Sequence, residues 1–445
     1  MIPRAAAVLA FAAFLAPRAP AVAQQSAPAE RTISAGDRDR ALSSIAAAIR
    51  TTYVLTEKRA QIAGRLELRA RDERRYDVTD PTVLAERVTA DLLAASGDAH
   101  LYLSYDPVQY AAVRRADSAA PARPGQDLDA YRRRRARRAN HGLAEMRVLP
   151  GNLRYLRIAA FEWIPDETGA VYDGAMRFLK DGDAAIIDLR GNGGGWHGAV
   201  QYLVSHFLPP DRLELTFLEG SGTASQVRTI GHLPAGRLKD KPLYVLIDGG
   251  SASAAEAFAY DVAQFGLGTL VGATTAGAAN DNRLVPIAPG FMLSVSYARP
   301  VHAVSGSNWE GIGVEPEVRT PSERALVVAE SLALARLAED PDAAPEDVAE
   351  HRWAQVGVAS RLEPVTIEPA RLRALAGTYG AVEVAFRDGA LWLSRPGRPV
   401  RRLSPLTGDG LFAVAGTDVL RVRFTPGALE LRLIDEPVPA VFGRN

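Results

Sequence analysis

The stretch Val245-Leu-Ile-Asp-Gly-Gly-Ser-Ala-Ser-Ala-Ala-Glu-Ala-Phe258 runs from a short apolar segment through small residues into a helix-favouring one. A strand-to-helix junction of this kind sets Ser253 at a helix N-terminus, where folds present a nucleophile. A second junction, Ala185-Ile-Ile-Asp-Leu-Arg-Gly-Asn-Gly-Gly-Gly-Trp196, lies upstream. Its glycines can bring backbone N–H groups close to a substrate carbonyl. The two junctions together predict a serine-dependent acyl-transfer site.

Around them, strands and helices alternate from residue 141 to about 300. Strands are expected at 156–158, 184–189, 243–247 and 269–271, and helices near 171–179, 197–207 and 253–265. Continuous apolar strands separated by helices predict an α/β sheet covered on both faces. Phe291, Leu293, Val295 and Tyr297 alternate with Met292, Ser294 and Ser296, which predicts a half-exposed strand. Thr320-Pro-Ser-Glu323 reads as a capping box opening a helix to about Glu339.

Residues 31–118 predict an N-terminal helical domain: Leu42, Ile45 and Ile49, then Leu84, Val88 and Leu92, recur at helical spacing, and Asp80-Pro81 suits a helix start. It ends in Ser96-Gly-Asp-Ala-His100, a turn feeding a short alternating strand. The Arg-rich segment 119–140 is expected to be a linker or solvated helix face rather than an anionic docking patch. The core is expected over 141–340. Paired alternations such as Val382/Val384/Phe386 and Leu429/Leu431/Leu433 predict a C-terminal antiparallel β domain over 365–445.

At 445 residues the chain exceeds one core, and 52 basic against 52 acidic side chains leave no net field. Nothing in this balance calls for a nucleic-acid partner. Arg4, the apolar run Ala5–Leu15 and Ala21-Val-Ala23 predict a secretory signal peptide over 1–23, hence export to a bacterial periplasm or medium. That run is shorter than the ~20 residues of a membrane span, and no later stretch qualifies. The sequence contains no cysteine, which excludes disulfides and thiol catalysis. No histidine spacing suits a metal, and neither a metal nor another cofactor is expected.

A serine hydroxyl needs a base within reach. The candidates are four lysines, Lys58, Lys180, Lys239 and Lys241, and histidines 100, 141, 197, 206, 232, 302 and 351. Ser251 is the rival nucleophile, His197 the rival base, and Glu256 a carboxylate one turn from Ser253.

Four motifs in order resemble the S41 peptidases, which comprise processing proteases and the tricorn core and interphotoreceptor retinoid-binding protein relatives. They are Asp188-Leu-Arg-Gly-Asn-Gly-Gly-Gly195, Ser251-Ala-Ser-Ala-Ala-Glu256, Val271-Gly-Ala-Thr-Thr-Ala-Gly277 and Gly306-Ser-Asn-Trp-Glu-Gly-Ile-Gly-Val-Glu-Pro-Glu317. The resemblance covers residues 35 to about 320 and implies a crotonase/ClpP-like β-α spiral core. The processing branch uses a Ser/Lys dyad. Ala278 stands at the lysine position, no lysine follows Lys241, and no room is left for a PDZ domain.

The tricorn-like branch instead implies Ser253 as nucleophile, His100 as base and Glu310 as its orienting carboxylate. Gly194 and Ala254 would supply the oxyanion N–H groups, each worth roughly 3 to 4 kcal/mol of barrier. Gly193, Gly195, Asp188, Arg190 and Glu256 would support the site, with Asp188 pairing Arg190 and Glu256 anchoring a helix. Ala99 replaces the serine that links histidine to glutamate in the tricorn enzyme. The implied function is an exported serine peptidase acting on peptides or proteins, with a homo-oligomer possible. Alternatives are an apolar-ligand or peptide-binding module on the same fold, or an esterase.

Overall fold

The computed structural model describes residues 32–72, 75–118 and 126–445. The leader expected over 1–23 and the 119–125 part of the expected linker lie outside these residues.

Helices α1 (Ala35–Thr52), α2 (Arg59–Asp72) and α3 (Pro81–Ser96) lead into strand β1 (Tyr102–Tyr105) and helices α4 (Pro107–Ser118) and α5 (Gln126–Arg138). There follow β2 (Leu143–Leu149), β3 (Leu153–Ile158), α6 (Pro165–Lys180), β4 (Ala184–Asp188), α7 (His197–Ser205), β5 (Leu213–Glu219) and β6 (Ala224–Arg228). The core continues through β7 (Leu243–Ile247), α8 (Ala254–Phe265), β8 (Thr269–Gly272), β9 (Asp281–Ile287), β10 (Phe291–His302), β11 (Val318–Arg319) and α9 (Ala325–Ala338). After α10 (Pro345–Leu362) and α11 (Pro369–Leu375) come β12 (Gly377–Tyr379), β13 (Val382–Arg387), β14 (Ala390–Arg395) and β15 (Arg398–Pro405). The chain ends with β16 (Leu411–Val414), β17 (Leu420–Thr425), β18 (Ala428–Leu433) and β19 (Ala440–Gly443).

The central sheet has strand order β11-β8-β7-β4-β3-β2, parallel throughout except for the β2–β3 hairpin. Its strands alternate between two hydrophobic clusters. Ala185, Ile187, Val245 and Ile247 face α6, α7 and α8, whereas Ala184, Ile186, Tyr244 and Leu246 face α9 and α10. Burial on both faces is why these strands read as unbroken apolar runs.

A second sheet, β1-β10-β5-β6 with β9 also on β10, joins the N-terminal helices to the core. Phe291, Leu293 and Val295 pack in one cluster with Ile45, Ile49, Leu84 and Val88, so the helical segment shares its core with this sheet. The strand expected to be half-exposed is buried on both faces, with Met292, Ser294 and Ser296 at 0% exposure. The alternation misled at Ser294 because its hydroxyl is buried among hydrogen-bond partners: Ser294 Oγ donates to His100 O at 2.5 Å and accepts from Asn282 Nδ2 at 2.6 Å, whereas Ser296 Oγ is buried without a partner.

Asp80 caps α3 by accepting from the Thr82 N–H at 2.7 Å, with Pro81 at the first helical position. The box at Thr320 does not form. Thr320 N–H donates to Gly272 O at 2.9 Å next to β11, and the helix starts only at Ala325 after a 3₁₀ turn over Ser322–Arg324. The expected linker contains α5, whose Arg133 and Arg137 pair with Glu167 and whose Arg135 pairs with Glu162.

The C-terminal strands β12 to β19 pair consecutively and antiparallel. A bridge between Tyr379 and Arg444, with Asn445 N–H donating to Thr378 O at 3.0 Å, closes the last strand onto the first. Closure removes free sheet edges and lets one face of eight strands bury a single cluster around Phe412, Val422 and Leu429.

Candidate active site

Strand β7 ends at Ile247 and the chain turns through Asp248-Gly-Gly-Ser-Ala252 before α8. Ser253 sits at the N-cap of α8 with φ 55° and ψ −118°, a region a non-glycine residue adopts at a cost of about 1–3 kcal/mol. That conformation is over-determined by Glu256. Its buried carboxylate accepts from Ser253 N–H at 2.8 Å, Thr275 Oγ1 at 2.5 Å, Gly277 N–H at 2.6 Å and Ala278 N–H at 2.9 Å. Four donors on two oxygens make Glu256 a clamp between the serine turn and the 275–278 loop.

Ser251 is fully buried; its Oγ donates to Leu189 O at 2.8 Å and accepts from Asp248 N–H at 3.1 Å. It ties the two strand ends together. Asp188 receives Arg190 Nε at 2.9 Å and Tyr155 Oη at 2.7 Å. Burial pushes its carboxyl upward, but the Arg190 guanidinium outweighs this and holds it below the usual range. Glu315 and Glu317 are exposed, and Glu315 pairs with Arg319 at 2.8 Å.

The glycine loop lies directly against the serine turn. A Cβ on Gly194 would sit 2.7 Å from Ser253 Cβ, and one on Gly195 would sit 2.1 Å from Phe161 O. Gly195 also has φ 143°. Gly195→Ala should therefore break the bridge in which Phe161 N–H donates to Gly194 O and Trp196 N–H to Phe161 O. A loss of about 2–4 kcal/mol is expected, read as a lowered thermal midpoint together with weaker labelling of Ser253.

Gly194 N–H is already donated to Asn192 Oδ1 at 2.9 Å. The Ala254 and Gly195 N–H groups have no acceptor among the described residues. Both residues line a cleft of ≈ 50 Å³ together with Ser253, His197, Asn280 and Asp281, with Leu215, Phe217 and Trp309 as its apolar wall.

His100 and Glu310 belong to one polar cluster, linked through Asp98 and Asn280. His100 N–H donates to Asp98 Oδ1 at 2.8 Å, and Asn280 Nδ2 donates to Asp98 Oδ2 at 3.1 Å. Glu310 Oε2 accepts from Ala279 N–H at 2.7 Å and from Asn280 N–H at 3.0 Å. Asn280 and Asp98 thus connect the His100 backbone to Glu310. His100 Nδ1 and Glu310 Oε1 are both buried without a partner. Burial lowers the His100 pKa despite the opposing pull of Asp98, Glu256 and Asp281. Burial, followed by the charges of Asp98 and Glu256, pushes Glu310 up to about 7.

His197 lies at the start of α7, its Nε2 2.9 Å from Glu214 Oε1. Burial alone would lower its pKa, but Glu214 and Asp281 outweigh burial and raise it. No sequence motif pointed to Glu214 or Asp281. Among the described residues no group of His, Asp and Glu side chains could hold a metal ion, and no helix is long and apolar enough to cross a membrane.

Against known proteins, residues 152–320 match the model of peptidase family S41. Over 179 residues the chain is 27% identical to the carboxy-terminal processing protease CtpB of Bacillus subtilis, covering 39% of this chain and 35% of that protein. It is 28% identical over 172 residues to the carboxy-terminal-processing protease of Bartonella bacilliformis, covering 38% of each. The S41 match therefore spans little more than a third of these curated relatives. Among solved structures, the photosystem II D1 C-terminal processing protease superposes with a TM-score of 0.42 at 17% identity, over 68% of this chain and 97% of that one. The matched stretch contains Ser253, the glycine loop and Glu310; His100 comes from outside it, carried to the cluster by β1 pairing with β10.

Proposed function

We propose that the chain is an exported serine peptidase of the tricorn-like S41 branch, cleaving peptide bonds through an acyl-enzyme on Ser253. The observation that carries this reading is the strained Ser253 turn, clamped by Glu256, opening on a cleft that also holds unpaired Gly195 and Ala254 N–H groups. His100 is the general base. It takes the Ser253 proton as Oγ attacks the carbonyl carbon, then gives that proton to the leaving amine. Its lowered pKa keeps the ring neutral, and so able to accept, at neutral pH.

Glu310 orients the charged ring. An unpaired ring nitrogen and an unpaired carboxylate oxygen in one buried cluster are complementary, and the pair forms when His100 becomes cationic. Ala278 supports this branch over a Ser/Lys dyad: it stands where the lysine would, and its N–H serves Glu256. His197 is a poor base, because its carboxylate partner favours the protonated ring, which cannot accept. A peptide or protein substrate and a secreted location complete the reading; the location rests on the Met1–Ala23 leader pattern.

The test is a fluorophosphonate adduct mapped by mass spectrometry, with peptide-library cleavage measured alongside. An adduct on Ser253 is expected, and His100→Ala should slow cleavage by about 10³-fold or more. An adduct on another serine, or undiminished cleavage by His100→Ala, would overturn the assignment.

A further inference from the structure

A chain of four titratable groups, three of them buried, leads away from the cleft and plays no part in the mechanism above. His197 on α7 faces Glu214 on β5, Glu214 lies beside Asp261 on α8, and Asp261 Oδ1 is 3.2 Å from His302 Nε2 on β10. Glu214, Asp261 and His302 are each at most 1% exposed. Two buried carboxylates side by side do not both ionise. Burial, then the neighbouring Glu214, pushes Asp261 well above the carboxylate range, so Asp261 holds the proton. His302 is neutral: burial pushes it down to about 4, and its Nδ1 accepts from Val304 N–H at 3.1 Å, leaving Nε2–H to donate to Asp261. Glu214 in turn faces His197, whose Nε2 is 2.9 Å from Oε1.

This fixes the His197 ring. Nε2 lies 2.9 Å from Glu214 Oε1, an ion-pair contact without hydrogen-bond alignment, Phe217 meets the ring edge-on at 5.3 Å, and Nδ1 has no partner among the described residues. The ring lines the same ≈ 50 Å³ cleft as Ser253, Ala254 and Gly195, a space with room for only a few atoms. The groups facing it are the carboxyls of Glu214 from β5 and Asp281 from β9. Gly194 N–H, meanwhile, is occupied by Asn192.

The geometry points to His197 as a cationic hydrogen-bond donor to the oxyanion, with Glu214 and Asp261 as positioning residues behind it. This rests on the Ser253 mechanism proposed above. As Oγ bonds to the carbonyl carbon, the carbonyl π pair moves to oxygen, and His100 takes the serine proton. The Nδ1–H of His197 then donates to that oxygen beside the Gly195 and Ala254 N–H groups, without transferring its proton. Deprotonation leaves Nε2–H on Glu214 and turns Nδ1 from donor to acceptor, so the contribution is lost as pH rises through the raised His197 pKa.

The test uses the full chain and a quenched fluorescent peptide chosen from the library. His197→Gln should lower kcat and kcat/KM equally, by about 10- to 100-fold, and abolish the alkaline limb of the pH–rate profile. Glu214→Gln, if its thermal midpoint shows it folded, should move that limb to lower pH. Unchanged kcat in His197→Gln, a loss confined to KM, or an unmoved alkaline limb would overturn the role; if Glu214→Gln does not fold, His197→Gln alone decides. Failure of the Ser253 mechanism reads differently: Ser253→Ala would then retain wild-type turnover and labelling.

Discussion

Ser253→Ala is expected to reduce kcat/KM for peptide hydrolysis by at least about 10³-fold and to abolish fluorophosphonate labelling, with little change in stability. The two halves of this expectation have separate causes. Activity collapses because the acyl-enzyme needs the hydroxyl, and the oxyanion donors alone recover only part of the rate. Stability holds because the Ser253 conformation is imposed from its backbone: Glu256 takes the N–H, and Ala257 N–H takes the carbonyl at 2.9 Å. Alanine at φ 55° is as strained as serine there, and losing a helix N-cap hydroxyl costs about 1 kcal/mol. Active-site titration beside thermal melting separates the two. A variant that melts far below the wild type, or that still turns over, would show that the hydroxyl is structural.

Glu256 is the carboxylate whose reading depended most on the fold. It stands one turn from Ser253, and spacing alone left its role open. The structure shows its oxygens filled by four donors, three of them from the 275–278 loop.

What the sequence revealed was local. The runs 184–188 and 243–247 are short, apolar and bounded by turn residues, so the parallel strands and their strand-to-helix junctions could be read directly. What it concealed was long-range. Ser294 and Ser296 look solvent-facing because serine usually is; the Ser294 hydroxyl is buried against partners from the His100 and Asn282 segments, and the Ser296 backbone carbonyl accepts from Val54 N–H. Thr320 carries a capping signature, yet pairing beside β8 holds it extended. Glu214, Asp261 and His302 lie on β5, α8 and β10, and no local motif joins them. The same applies to His100 and Glu310: their resemblance to a family motif suggested a pair, but only the fold displays Asn280 and Asp98 between them.

Glu310→Gln is expected to make the protein more stable at pH 8 and nearly inactive. In the wild type, burial and the charges of Asp98 and Glu256 raise the carboxyl from an ordinary 4.5 to about 7. A folded-state pKa above the unfolded one means that the folded protein holds a proton the unfolded chain has released. The stabilisation is fully present below about pH 4.5 and is lost as pH rises to about 7. At about 1.4 kcal/mol per pKa unit the loss is up to about 3 kcal/mol, and glutamine does not incur it. Its amide oxygen can still accept from the Ala279 and Asn280 N–H groups that Glu310 Oε2 now serves. The variant should therefore match the wild type near pH 4.5 and exceed it above pH 7 in denaturant unfolding. Catalysis moves the other way, because a neutral amide cannot stabilise the imidazolium of His100; a fall of about 10²- to 10⁴-fold in kcat is expected. A Glu310→Gln protein that is less stable than wild type at pH 8 and equally active would mean that the carboxylate serves the loop and not the histidine. The opposite result would mean that this buried charge costs the fold stability and is useful only when His100 becomes cationic.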